Sequence, residues 1–425
     1  MLKIIRAADC RKEDILTREV KEDLCVETVV RGIVSDVRTR GDAALYEYTL
    51  KFDKADLRSF EVSEKEIKAG CAAVDGEFKK TLRIAAANIR QYHKKQIQKG
   101  YEIKRSDGSV LGRTVTPIER AGVYVPGGTA AYPSTVLMDV IPAVVAGVPE
   151  IYMATPPGRD GKIKDEILAA AKIAGVTKIF KMGGAQAIAA FAYGTDSVPK
   201  VDKIVGPGNI YVATAKKQVF GAVDIDMFAG PSEILVIADG DNDPSLIAID
   251  LLSQAEHDVL ASSVLVTDSV RLAELVQSAV ETLIPTLKRA DIARKSIDDN
   301  GKIIIVGNIN EAVAISNEIA PEHLELLVKE PFKVLKSVKN AGSVFLGQYS
   351  PEALGDYMAG TNHTLPTSGT ARFSSPLSVD DFVKKSSYMF YTKDALEGLK
   401  DRVVDFAERE GLEAHARSVS FRFRK

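Results

Sequence analysis

Two segments, Ala146-Gly-Val-Pro-Glu-Ile-Tyr152 and Ala174-Gly-Val-Thr-Lys-Ile-Phe180, stand 28 residues apart (146 to 174) in this chain. Each opens where an Ala-rich helical pattern ends, with Gly in the place that follows a helix, and runs on into a strand-like stretch. A third unit enters at Val201-Asp-Lys-Ile-Val205. Strand, helix and strand at this spacing need crossover connections, so they specify βαβ units and a parallel sheet. The period is one supersecondary unit with too few copies for a solenoid. Strand-like runs at residues 233–238, 262–267, 302–306 and 342–346 predict a second α/β lobe. Residues 11 to about 100 read as mainly helical, with Ser63-Glu-Lys-Glu66 as a capping box. Leu396, Leu399, Val403 and Phe406 mark an amphipathic helix that leads to His415.

Composition removes several function classes. Lys plus Arg is 56 and Asp plus Glu is 58, for a net charge of -2, which is not the footprint of a general nucleic-acid binder. The longest apolar stretch, residues 136–149, is interrupted by Asp139 and Pro142 and is too short to span a bilayer. The first residues lack an apolar signal core. Cys10, Cys25 and Cys71 have no paired spacing and read as thiols of a cytoplasmic protein. None neighbours a histidine motif, which argues against a cysteine nucleophile.

Four of the five histidines lie in the second half: His257, His323, His363 and His415, most with a carboxylate or amide close by. Such sets supply metal ligands and proton carriers. Asp243-Pro244 starts a helix on which Gln254 and His257, three apart, share a face and can grip one ion, with Asp250 one turn earlier as a supporting partner. By itself a polar helix end meeting solvent explains this pair better. Glu322-His323 offers an acid/base pair whose adjacent side chains face different ways; the bland reading is a helix N-terminus. Asp356 reads as a hard oxygen ligand or an exposed turn acid, and His363 as a site residue or a solvated turn residue. His415 reads as a ligand or as a cation at the end of the last helix. His93, in Gln91-Tyr-His93-Lys-Lys, reads as a solvated helix residue.

Three glycine-rich turns each follow a strand and precede a helix: Tyr124-Val-Pro-Gly-Gly-Thr129, Met182-Gly-Gly-Ala-Gln186 and Gly206-Pro-Gly-Asn209. Their backbone can approach a phosphate-bearing ligand at helix N-termini, although ordinary βα turns look the same. No Gly-x-Gly-x-x-Gly follows a strand.

Tyr124-Val-Pro-Gly-Gly, Val205-Gly-Pro-Gly-Asn209, Phe228-Ala-Gly-Pro-Ser232-Glu, Leu251-Leu-Ser-Gln254-Ala-Glu-His257, Ala320-Pro-Glu322-His323-Leu-Glu and Gly360-Thr-Asn-His363-Thr-Leu-Pro-Thr resemble the signatures of the histidinol dehydrogenase family over almost the whole chain. The resemblance implies a fold of two incomplete Rossmann-like parallel-sheet lobes with N-terminal helices and a C-terminal helical tail. The boundaries expected are an arm at 1–20, a first lobe at 21–115 plus 235–375, a second, NAD-binding lobe at 116–234, and a tail at 376–425. It implies oxidation of L-histidinol to L-histidine through histidinaldehyde, consuming two NAD, at the end of histidine biosynthesis. Carried over by position, zinc is held by Gln254, His257, Asp356 and His415, and Glu322 and His323 are the acid/base pair. Ser232, His363 and Glu410 contact the substrate, as do the zinc ligands and His323. Tyr124, Gln186 and Asn209 contact NAD. The resemblance also implies a homodimer whose exchanged tails bring Glu410 and His415 to the neighbouring subunit's site, with no nucleic-acid or membrane partner. The competing readings are a related dehydrogenase of another small alcohol, a zinc hydrolase using Glu322 to activate water, and a nucleotide-binding regulator without chemistry.

Overall fold

The computed structural model describes residues 1–9, 24–127, 131–227 and 230–424. Cys10, most of the expected N-terminal arm, Gly128 and Thr129 of the first glycine turn, and Phe228 and Ala229 lie outside the described residues.

The near-repeat forms the heart of a five-stranded parallel sheet. Its strands are β4 (Arg120–Tyr124), β5 (Glu150–Thr155), β6 (Lys178–Lys181), β7 (Lys203–Val205) and β8 (Asp224–Ile225), in the order β6-β5-β4-β7-β8. The helices Pro133–Ala146 and Asp165–Ala174 end at Gly147 (φ 89) and Gly175 (φ 109), as the repeat predicts. A left-handed residue costs about 1–2 kcal/mol with a Cβ, so glycine closes both helices.

The second sheet has six parallel strands in the order β1-β11-β10-β9-β12-β13. They are β1 (Lys3–Arg6), β9 (Glu233–Ala238), β10 (Ser262–Thr267), β11 (Lys302–Ile305), β12 (His323–Leu327) and β13 (Ser343–Leu346). Along β9, Ile234, Val236 and Ala238 enter one apolar cluster while Leu235 and Ile237 enter the cluster on the other face. Burial on both faces explains why β9 reads as a continuous apolar run. The first residues supply β1, an edge strand paired with β11.

The helices of residues 24–93 cover the five-stranded sheet, not the six-stranded one with which the sequence reading grouped them. Helix Leu24–Arg40 buries Val26, Val30, Ile33, Val34 and Val37 in the cluster that holds the Ala-rich Gly184–Tyr193 helix. Helix Gly76–His93 joins the cluster of helices Pro133–Ala146 and Asp165–Ala174. Each such buried Val or Ile contributes about 1.5–3 kcal/mol relative to exposure, so the apolar stripe decides the side. His93, expected in solvent, is fully buried at the end of its helix, with Nδ1 2.7 Å from Gln96 Oε1, and burial holds its pKa low.

Residues 97–117 and 383–425 form a separate compact unit. It contains an antiparallel sheet of β2 (Tyr101–Lys104), β3 (Val110–Pro117) and β14 (Val383–Phe390), and helices Lys393–Glu397, Lys400–Arg409 and Glu413–Ser420. The single amphipathic helix expected over 396–406 is thus two helices, parted at Gly398 and Leu399. Among the described residues no helix is long and apolar enough to cross a membrane.

Asp243 caps helix Pro244–Ala255 as expected, accepting from Ser245 N at 2.8 Å. Asp243→Ala should lower stability by about 1 kcal/mol, read as a lower urea midpoint at constant m-value; an unmoved midpoint would deny the cap its role. Asp53 Oδ2 is buried without a hydrogen-bond partner among the described residues, and burial pushes the carboxyl from its ordinary 3.8 up to about 6. The folded chain therefore binds this proton more tightly than the unfolded chain, and stability is lost as pH rises through that window. Asp53→Asn should raise Tm at pH 8 and leave it unchanged at pH 4; equal shifts at both would contradict the assignment.

Candidate active site

β9 and β12 pair in register, His323 beside Ile234. From β9 the chain goes one way to β10 and β11, then returns on the other side as β12 and β13, so the order reverses between β9 and β12. Open α/β sheets have their crevice at such a reversal, ordinarily at the carboxyl ends of the strands. Here the carboxyl ends are closed: Asp239 accepts from Lys329 N at 2.8 Å and from Asn242 Nδ2 at 2.9 Å. The candidate residues Ser232, Glu322 and His323 lie at the amino ends, where Ser232-Glu233 enters β9 and Glu322-His323 enters β12.

The backbone of one residue holds both Glu322 and His323. Glu233 N donates to Glu322 Oε2 at 2.9 Å, and His323 Nδ1 lies 2.9 Å from Glu233 O. A carbonyl only accepts, so the neutral imidazole carries its proton on Nδ1 and keeps Nε2 as the basic nitrogen. Glu322 and His323 are nearly fully buried and approach to 3.6 Å. The expectation that they face different points fails because Glu322 precedes the strand. Ala320, at φ 52, and Pro321 turn the chain there, so strand alternation does not apply. A helix N-terminus is likewise not what forms.

Carboxylates surround this pair. His323, Glu352 and Asp356 place one ligand atom each within 4.8 Å of one another. His363 Nδ1 lies 3.6 Å from Asp356 Oδ1. Burial pushes Glu322 up to about 7 and raises Glu352. Burial also works to raise Asp356, but His363 and the other imidazoles outweigh it and hold the carboxyl low. Burial works to lower His323 and His363; neighbouring carboxylates outweigh it and both are raised. Asp250 does not support Gln254: it is hydrogen-bonded to Glu325, and burial raises both carboxyls, so the pair retains a proton.

Of the four residues expected to hold zinc, Asp356 lies in the acidic cluster and Gln254 on helix Pro244–Ala255, where Ser253 Oγ reaches Glu352 Oε2 at 3.2 Å. Gln254 is 1 % exposed, and its Oε1 has no hydrogen-bond partner among the described residues. A buried amide oxygen without a donor, on the helix whose Ser253 reaches Glu352, fits a cation ligand, and the oxygen and imidazole donor set fits zinc. His257, exposed just past the helix end, is close enough to influence Glu352 and Asp356. Glu410 and His415 are exposed in the separate C-terminal unit. His415 stands in the first turn of helix Glu413–Ser420, so it is no C-terminal cation. Sequence reasoning missed Glu233, Glu325 and Glu352. A charge between Leu324 and Leu326 in an apolar strand is a legible signal; Glu352 looks like any acid at a helix start.

The five-stranded sheet has its own reversal, between β4 and β7. Tyr124 ends β4, is 4 % exposed, and its hydroxyl accepts from Gly184 N at 3.1 Å. Gln186 is buried with Oε1 unpartnered among the described residues. Asn209 follows β7 and caps helix Ile210–Val219, its Oδ1 taking the amides of Tyr211 and Val212. These turns lie at strand carboxyl ends and helix N-termini, where a dinucleotide binds in open α/β sheets.

Comparison with known proteins gives the family and the fold. The sequence profile described as histidinol dehydrogenase matches residues 16–423. A histidinol dehydrogenase of Clostridium acetobutylicum is 55% identical over 412 residues, 97% of this chain and 96% of the relative. One from Bacillus cereus is 56% identical, covering 93% of each chain. The crystal structure of histidinol dehydrogenase from Elizabethkingia anophelis superposes with a TM-score of 0.94 at 39% identity, covering 99% of this chain and 98% of that one. With its profile, its relatives and its fold in agreement, the chain belongs to the histidinol dehydrogenase family.

Proposed function

We infer that the protein oxidises L-histidinol to L-histidine in the cytoplasm, using NAD and one zinc ion per subunit. Family membership supports the oxidoreductase reaction, and the single structural observation that carries the mechanism is the double hold of Glu233 on Glu322 and His323. Gln254, His257 and Asp356 would hold zinc together with His415 of the partner subunit. The ion would fix the substrate's imidazole and amine. NAD, lodged near Tyr124, Gln186 and Asn209, would accept a hydride in each of two oxidations. Exposed Met389 (76%), Phe390 (58%) and Phe406 (67%) in the C-terminal unit support a homodimer in which tails are exchanged.

His323 Nε2 takes the hydroxyl proton as the first hydride leaves. The aldehyde must then become a hydrate, because the second hydride departs from a tetrahedral carbon bearing a hydroxyl. No cysteine motif is available to supply a thiohemiacetal, so Glu322 deprotonates the attacking water. His323 returns its proton to the aldehyde oxygen as the water adds, and is then free to deprotonate the hydrate. Ser232, His363 and Glu410 of the partner subunit orient the substrate, Glu410 by offsetting its ammonium charge.

Glu322→Gln should slow oxidation of added histidinaldehyde by about 10²–10⁴-fold while sparing histidinol oxidation to the aldehyde. Equal losses in both half-reactions, measured by single-turnover NADH formation, would refute the division of labour. Wild-type enzyme should form two NADH per histidinol, and chelation should abolish turnover until zinc is restored. Turnover that survives complete removal of metal would exclude the zinc site.

A further inference from the structure

Asp139 interrupts the apolar helix Pro133–Ala146, is completely buried, and has no part in the chemistry above. Its Oδ1 accepts from the Thr364 hydroxyl at 2.6 Å, next to His363. Its Oδ2 has no hydrogen-bond partner among the described residues. That oxygen faces Gly206: a Cβ there would stand 3.1 Å from Asp139 Oδ2 and 2.1 Å from the Tyr124 carbonyl. Gly206 also has φ 115, so a side chain is excluded by conformation and by space.

The other side of Gly206 is held by a buried ion pair. Lys216 Nζ donates to Gly206 O at 2.9 Å and pairs with Asp226, whose Oδ2 accepts from Gly206 N at 2.7 Å. Both side chains are at most 2% exposed. Replacing a buried ion pair with apolar groups is often neutral or stabilising, so stability alone does not account for this one. Burial pushes the Asp139 carboxyl up to about 7, against the Thr364 hydroxyl and the charges of His363 and Lys216, while Asp226 adds to the rise. One buried polar set thus touches the turn that leads to Asn209 and the segment that carries His363.

We propose that Lys216, Asp226 and Asp139 are positioning residues that set the nucleotide turn and the His363 segment against each other across the bare face of Gly206. Lys216 and Asp226 hold the turn, and Asp139 holds Thr364 and through it His363. The inference rests on the assignment of NAD and histidinol to these two sites.

Steady-state kinetics with NAD and L-histidinol test it, with NADH fluorescence titration and thermal melts on each variant. Thr364→Val should raise KM for histidinol about tenfold and leave KM for NAD within about twofold, the loss of one buried hydrogen bond. The paired variant Lys216→Met with Asp226→Asn, which leaves no lone buried charge, should do the reverse and weaken NADH binding. Asp139→Ala should raise both KM values, and Asp139→Asn, which still accepts from Thr364, should restore both. If Thr364→Val and the paired variant move the two KM values together, or move neither, the inference falls. Failure of the wild-type enzyme to reduce NAD with histidinol would remove the functional assignment itself, which is a separate outcome.

Discussion

The backbone of Glu233 is the constraint on which the rest of the site depends. Its N–H fixes one oxygen of Glu322 and its carbonyl fixes the proton of His323. Both bonds exist because β9 and β12 are parallel neighbours, paired from His323 beside Ile234 onward. The pairing in turn exists because β9 is apolar on both faces, and Leu324 and Leu326 of β12 share the cluster of Leu235 and Ile237. A hydrogen bond of this kind contributes only about 0.5–1.5 kcal/mol to stability, but leaving a buried imidazole or carboxylate without one costs more. The arrangement orients Glu322 and His323 through main-chain groups, whose own positions depend on no rotamer.

Charge is the second constraint. Glu322, Glu325, Glu352, Asp356 and Asp250 form one acidic group beside His323 and His363, and burial raises four of the five carboxyls. The Asp250 and Glu325 pair relieves some of this by keeping a proton. Asp356 is the exception, held ionised by the imidazoles, and it stands where a cation is expected. A site of this composition gains most from a divalent ion and a cationic substrate, and both belong to the proposed reaction.

Much of this was legible in the residues. The Ala-Gly-Val repeat announced the parallel sheet, its helix stops and its crossovers, because each is a local rule of backbone conformation. Asp243 and Ser63 announced their caps for the same reason. Partners distant in sequence were not legible. The pairing of β3 with β14, and the docking of helix Leu24–Arg40 on the five-stranded sheet, depend on surfaces that no local pattern names. The placement of Glu322 followed from Ala320 in the left-handed region, a conformation Ala rarely takes and sequence does not advertise. His323 and Asp356 were singled out from the sequence, whereas Glu352 and the carbonyl of Glu233 became visible only when the fold set them beside His323.

The central claim is that main-chain geometry places the proton of the neutral His323 ring on Nδ1 and leaves Nε2 unprotonated. Nitrogen-15 NMR of histidine-labelled protein tests it most directly, with the His323 signals identified by their loss in His323→Gln. In the neutral form the account predicts a protonated Nδ1 and an unprotonated Nε2. A proton found on Nε2 would contradict it.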